Sequence, residues 1–163
     1  MKKRGILAAA LAAVAAAAFA ALAIAANDQK TTGGGKTLVL STENAGATGA
    51  VGITAMDPDS PRGRVNINLR NADGTKNQHF VGRVTDYRQD GNRSWICGEV
   101  QVLQLGTNTN EGQFFEVVVL DSGSNVGDML NWYRQAGPTD CEDNGPNPDQ
   151  VLTNGNLVVH QGS

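Results

Sequence analysis

The cleanest hydrophobic pattern in the chain is Arg64-Val-Asn-Ile-Asn-Leu-Arg70. Val65, Ile67 and Leu69 alternate with Asn66, Asn68 and Arg70, a period of two that puts one set against a core and the other in water. Similar stretches recur at short intervals. Gln78 to Tyr87 places Phe80 and Val84 on one side, and Arg93 to Leu105 places Ile96, Val100 and Val102 on the expected inner face. Gln113 to Leu120 is dense in Phe and Val and reads as a central strand. Thr37–Leu40, Val51–Ala55, Met129–Tyr133 and Leu157–His160 supply shorter ones. Turn chemistry separates them, as in Asn71-Ala-Asp-Gly74, Gln89-Asp-Gly-Asn92 and Asp121-Ser-Gly-Ser124. After residue 25, no stretch has the 3.6-residue period of an amphipathic helix. About eight short strands predict an all-β domain: an antiparallel β-sandwich or a small, partly open β-barrel. Both produce this pattern.

One hairpin has a predictable register. If the turn centres on Gly91 and Asn92, facing residues have numbers that sum to about 183. Tyr87 then faces Ile96, and Asp86 faces Cys97.

The amino terminus has a different pattern. Lys2, Lys3 and Arg4 precede an alanine-rich apolar run that ends in Ala23-Ile24-Ala25, a small-x-small cleavage site. Residues 1–25 therefore read as a secretory signal peptide, with the mature chain starting at Ala26. The run from Gly5 to Ala26 is 22 residues, long enough for a retained anchor, which is the alternative. Residues 26–36 are polar and glycine-rich and predict a flexible linker. Residues 37–163 form the secreted β domain. No further segment predicts membrane insertion after cleavage, and the expected location is secreted or associated with the cell envelope.

Without the leader, ten basic and sixteen acidic side chains remain, a net charge near −6. The arginines are spread singly from Arg62 to Arg134, so no basic cluster is visible and nucleic acid is not an expected partner. Cys97 and Cys141 are the two cysteines, both in the exported part. An even count outside the cell predicts a disulfide closing a loop of about 44 residues. Two thiols held in a metal site with His79 and His160 are the alternative.

Candidate chemistry is sparse. Gly123-Ser-Asn-Val-Gly127 has its serine one place early for a nucleophile elbow and lacks the following helix, so no catalytic residue is assigned. Glu99 and Glu116, on neighbouring strands, are the carboxylate pair a hydrolase would need. Two acidic loops offer oxygen ligands for calcium, through Asp121 and Asp128 in one and Asp140, Glu142, Asp143 and Asp149 in the other. Turn capping by the same side chains is the alternative. No other cofactor is implied. Trp95, Trp132 and Tyr133 are the candidate ligand surface, since aromatics on a β surface stack on sugars or anchor proteins.

The run Gly112-Gln-Phe-Phe-Glu-Val-Val-Val-Leu-Asp-Ser-Gly123, then Asp128, Cys141 and the closing Gly155-Asn-Leu-Val-Val-His160, carries a resemblance. It is similar to a group of small exported bacterial proteins, commonest in actinobacteria, that end in Gly-Asn-(Ile/Leu)-Val-Val-His. The resemblance covers about residues 62–160. It implies secretion and a β domain, and no activity. In that group the first cysteine often stands where this chain has Asp86. The expected function is therefore a non-catalytic exported β domain, binding or structural, with a protein or glycan partner outside the cell. A secreted hydrolase using carboxylate chemistry is the runner-up.

Overall fold

The computed structural model describes residues 29–40, 45–108, 110–123, 127–138, 141 and 147–162. The expected signal peptide and the first residues of the expected linker lie outside them. Eight antiparallel strands run in chain order: β1 (Lys30–Val39), β2 (Thr48–Met56), β3 (Arg62–Arg70), β4 (Lys76–Asp90), β5 (Arg93–Leu105), β6 (Phe114–Leu120), β7 (Met129–Gln135) and β8 (Gln150–His160). Each pairs with the next, and β1 also pairs with β8, closing a barrel. Closure removes the free edges a sandwich would keep, so the barrel is the outcome of the two open architectures. No helix among the described residues is long and apolar enough to cross a membrane.

The expected linker is corrected by β1. Lys30 to Lys36 pairs along its length with both β2 and β8. The glycines that suggest flexibility instead allow two neighbouring backbones to come close. A Cβ on Gly34 would sit 2.2 Å from the Val51 carbonyl oxygen, and one on Gly35 would sit 1.9 Å from that of Asn154. Glycine here marks tight curvature at the barrel seam.

Alternation holds around the wall. Val51, Ile53, Ala55, Val65, Ile67, Phe80, Val84, Tyr87, Ile96, Phe115, Val117 and Val119 fill one interior core. Phe80 packs against Phe115 at 5.7 Å and edge-on to Trp132 at 5.5 Å between ring centroids. Polar and charged residues face out on β1–β3, the reverse of a lipid-facing barrel, whose outer band is apolar. Tyr87 pairs with Ile96 and Asp86 with Cys97, as the turn arithmetic requires. One inward assignment is corrected. The pairing skips Gln101, with Val81 opposite Val102 and Gly82 opposite Val100. This bulge reverses the alternation, so Val102 is exposed and Leu103 packs against the core.

Both ends of the interior are polar. At one, Thr31 Oγ1 donates to Ser94 Oγ at 2.8 Å and lies 3.1 Å from Tyr87 OH; Tyr87 OH donates to Gln89 Oε1 at 2.7 Å. At the other, Arg134 is buried over the Phe80 ring. It donates to Gln78 Oε1 at 3.1 and 2.5 Å and to the Gly112 carbonyl at 3.2 Å. Between these plugs lie packed side chains.

The weakest seam is β7–β8, where two residue pairs form, Met129 with Val151 and Leu130 with Gln150. Beyond them, side chains from the β6–β7 connection take over. Asp128 Oδ2 accepts from Leu157 N at 2.7 Å, and Asp121 Oδ2 from Val159 N at 3.1 Å. Two carboxylates thus serve the edge of β8 where a strand partner is missing.

Candidate functional site

Among the described residues the barrel interior is filled with side chains, and the candidate site lies on the outside. Alternation sends Ala50, Gly52 and Thr54 of β2 outward, and Arg64, Asn66, Asn68 and Arg70 of β3. Of these, Ala50, Gly52, Asn66, Asn68 and Arg70 border a shallow trench across the strands, together with Lys36 of β1, His79 of β4 and Thr153 of β8. Its larger part is about 460 Å³, between Lys36, Thr48, Ala50, Asn68, Arg70 and Thr153. The smaller, about 280 Å³, lies over Ala50, Gly52, Asn66, Asn68 and His79. Ala50 and Asn68 belong to both, so the two are continuous.

The floor is low because its residues are small. A Cβ on Gly52 would meet nothing within 4 Å. A glycine inside a strand costs about 0.5–1 kcal/mol relative to alanine, and here no close backbone contact requires it. The walls carry amides, hydroxyls and cations. His79 Nε2 and Asn66 Oδ1 hydrogen-bond at 3.1 Å, which fixes the Asn66 amide on the trench wall.

The cations gather there, contrary to their single-file appearance in the sequence. Strands β8, β1, β2 and β3 contain Lys30, Lys36, Arg62, Arg64 and Arg70 and no Asp or Glu. Register places like charges opposite each other, Arg64 with Arg83 and Arg70 with Lys76. Such pairs are destabilising. Arg83 is relieved by Glu99 at 2.7 Å, and Arg62 by Asp57 at 2.7 Å. Among the described residues, Lys36, Arg64 and Arg70 face no carboxylate within ion-pair distance.

The aromatic candidates do not form a platform. Trp132 points inward against Phe80. Trp95 points outward, but it is only 4% exposed, in a small outer cluster with Cys97, Val118 and Cys141. Arg93 and Arg88 cover its ring at 4.9 and 5.5 Å. Tyr133 is half-buried, its hydroxyl donating to Glu116 Oε2. The three therefore share no common surface.

Cys97 and Cys141 form the disulfide, with Cα atoms 5.8 Å apart. The Asp86 carbonyl oxygen lies 3.6 Å from Cys141 Sγ, so position 86 borders the same bridge. Of the calcium candidates, Asp140, Glu142 and Asp143 lie outside the described residues. Asp121 and Asp128 use their oxygens on backbone N–H groups, including Gly123 N at 3.0 Å and Ser122 N at 3.2 Å. Asp149 is half-buried, with one carboxylate oxygen buried and without a partner among the described residues. No group of three or more His, Cys, Asp or Glu among the described residues is arranged to hold a metal.

Glu99 and Glu116 sit in different surroundings. Glu99 is exposed and paired with Arg83, whereas Glu116 is 2% exposed, with one oxygen on Tyr133 and the other unpartnered. Burial pushes the Glu116 carboxyl pKa up, and the Tyr133 hydrogen bond opposes this more weakly. Burial, the hydrogen bond and the charge of Glu116 together push the Tyr133 hydroxyl to about 12. A carboxyl with a raised folded-state pKa contributes stability that is full below its ordinary value of 4.5 and lost as pH rises through the folded value. Glu116→Gln is therefore expected to be more stable than the parent at pH 8, with the gap closing towards pH 4. Urea midpoints at the two pH values check this, and an unchanging gap would refute it.

No protein-family model, curated protein or solved structure matches the chain.

Proposed function

We propose that this is a non-catalytic binding domain, exported to the cell envelope or the medium, that holds its ligand in the trench across β8, β1, β2 and β3. The observation that carries the reading is the trench floor. The barrel interior is packed from end to end, while Gly52 leaves open space on the outside at a cost in strand stability that no internal contact explains. The leader ending in Ala23-Ile24-Ala25 and the bridged cysteines support export. The trench lining contains no Asp or Glu, the groups that the hydrolase alternative requires.

The test uses the full chain expressed in an exporting bacterial host. Amino-terminal sequencing of the secreted form should begin at Ala26. That form should co-sediment with bacterial envelope fragments. Gly52→Trp has room for its side chain, so it should fold normally by circular dichroism and lose most of the co-sedimentation. Equal co-sedimentation of folded Gly52→Trp and parent would place the binding elsewhere and refute the reading.

A further inference from the structure

We infer that the ligand of this trench is an acidic glycan, a chain of sugar units carrying carboxylate or phosphate groups. The inference rests on the reading of the trench as the binding site and adds the chemistry of what fills it.

Charge is the first argument. The mature chain is acidic as a whole, yet the four strands that form this wall carry five cations, of which Arg62 is paired with Asp57, and no carboxylate. Lys36 and Arg70 stand at the larger part of the trench, and Arg64 stands outward two residues along β3 from Asn66. Adjacent strands are about 4.8 Å apart and register sets Lys36 opposite Asn68 across β2, so Arg70 stands roughly 12 Å and Arg64 roughly 17 Å from Lys36. At physiological salt the screening length is about 8 Å. Carboxylates beyond that distance do little to cancel the field over this wall; Asp57, paired with Arg62, and Asp73, in the turn that follows Arg70, stand nearer. Arg83, opposite Arg64, is already paired with Glu99, whereas Arg70 and Lys76, held opposite each other, are costly in the free protein. A polyanion lying across them removes that cost.

The second argument separates a glycan from other polyanions. Between the cations, Asn66 and Asn68 offer amide donors and acceptors, which suit sugar hydroxyls. Strands β8, β1, β2 and β3 contain no Phe, Tyr or Trp, so the wall has no stacking platform for nucleic-acid bases. Among the described residues the exposed large apolar side chains are elsewhere, Val102 and Leu105 on β5 and Leu40 beyond the end of β1, so the wall has no anchor for a lipid surface. The trench runs across the strands, and its floor keeps its own pairing on both sides, so an added peptide strand finds no free edge there.

The experiment measures binding of the secreted protein to polygalacturonate, neutral dextran of similar length, poly-glutamate, a single-stranded oligonucleotide and phosphatidylglycerol vesicles. Polygalacturonate should bind best, and its affinity should fall several-fold between about 50 and 200 mM salt. The double variant Arg64→Ser/Arg70→Ser should bind it roughly tenfold more weakly, with an unchanged circular dichroism spectrum. Arg64→Lys/Arg70→Lys should restore much of the loss. Gly52→Trp should abolish binding. Equal binding of dextran, abolished by Gly52→Trp, would overturn the acidic-ligand inference and leave the trench as the site. Preference for the oligonucleotide, poly-glutamate or vesicles would overturn the glycan assignment. Polygalacturonate binding that Gly52→Trp and the serine double variant leave intact would overturn both the inference and the site.

Discussion

Reducing the Cys97–Cys141 bridge is expected to lower the melting temperature by about 10 °C or more. The bridge closes a 44-residue separation, for which loop-closure entropy gives about 3–4 kcal/mol. Small domains are stable by only about 5–15 kcal/mol, so this is a large share. The structure says where the loss appears first. Cys97 is fixed on β5 with its sulfur on the outside of the barrel, beside Trp95 and Val118. Cys141 is the residue that covers them. Without the bond, that cover is free to lift, and Trp95 meets water while Trp132 stays inside against Phe80. A red shift in part of the tryptophan emission should therefore precede global unfolding. Cys97→Ala/Cys141→Ala should behave like the reduced protein. A reduced protein with an unchanged melting temperature and emission would show that the bridge carries no stability.

Asp128→Ala is expected to cost about 3 kcal/mol or more. Its carboxylate is 4% exposed and accepts from Leu157 N at 2.7 Å and Ser122 N at 3.2 Å. A hydrogen bond to a charged group is worth about 1.5–3 kcal/mol, and a buried N–H left without an acceptor carries its full desolvation penalty. Leu157 itself is fully buried, and β7 supplies no strand pairing there. The variant should therefore lose amide exchange protection at Leu157 and its neighbours on β8 before the rest of the barrel. Asp128→Asn keeps one accepting oxygen but points an amide donor at the other N–H, so its cost should be intermediate. Urea midpoints and exchange at Leu157 measure both. A change below about 0.5 kcal/mol in the alanine variant would place it in the range of an ordinary surface substitution and exclude the seam role.

Much of the fold is legible in the sequence because the period of two is an energetic pattern, not a statistical one. Val65, Ile67 and Leu69 face inward as their alternation requires, and Gly91-Asn92 sets the hairpin register across Asp86 and Cys97. The failures have equally local causes. Lys30 to Lys36 reads as a linker because three consecutive glycines look like freedom, whereas here they permit close approach of neighbouring backbones. Val102 is misplaced because one bulge at Gln101 reverses every later side chain. The candidate site was half visible. Arg64, Asn66, Asn68 and Arg70 are the water-facing half of the clearest strand. Their convergence with Lys36 is not visible, because it depends on β1 lying beside β2, a pairing made by residues that look structureless. A signal was nonetheless available. The segments that become β1, β2, β3 and β8 lack acidic residues altogether, in a chain that is acidic overall. The aromatic candidates mislead for the opposite reason. Alternation alone does not show that Cys141 packs on Trp95 from outside, or that Trp132 is drawn in beside Phe80.

The most direct measurement is backbone amide chemical-shift mapping of the secreted protein titrated with polygalacturonate. The shifts should concentrate at Lys36, Ala50, Gly52, Asn66, Asn68 and Arg70, with little change at Trp95, Val118 or Met129. Shifts concentrated on β5 to β7, or none at saturating polymer, would contradict the assignment of the β8–β1–β2–β3 wall as the binding face.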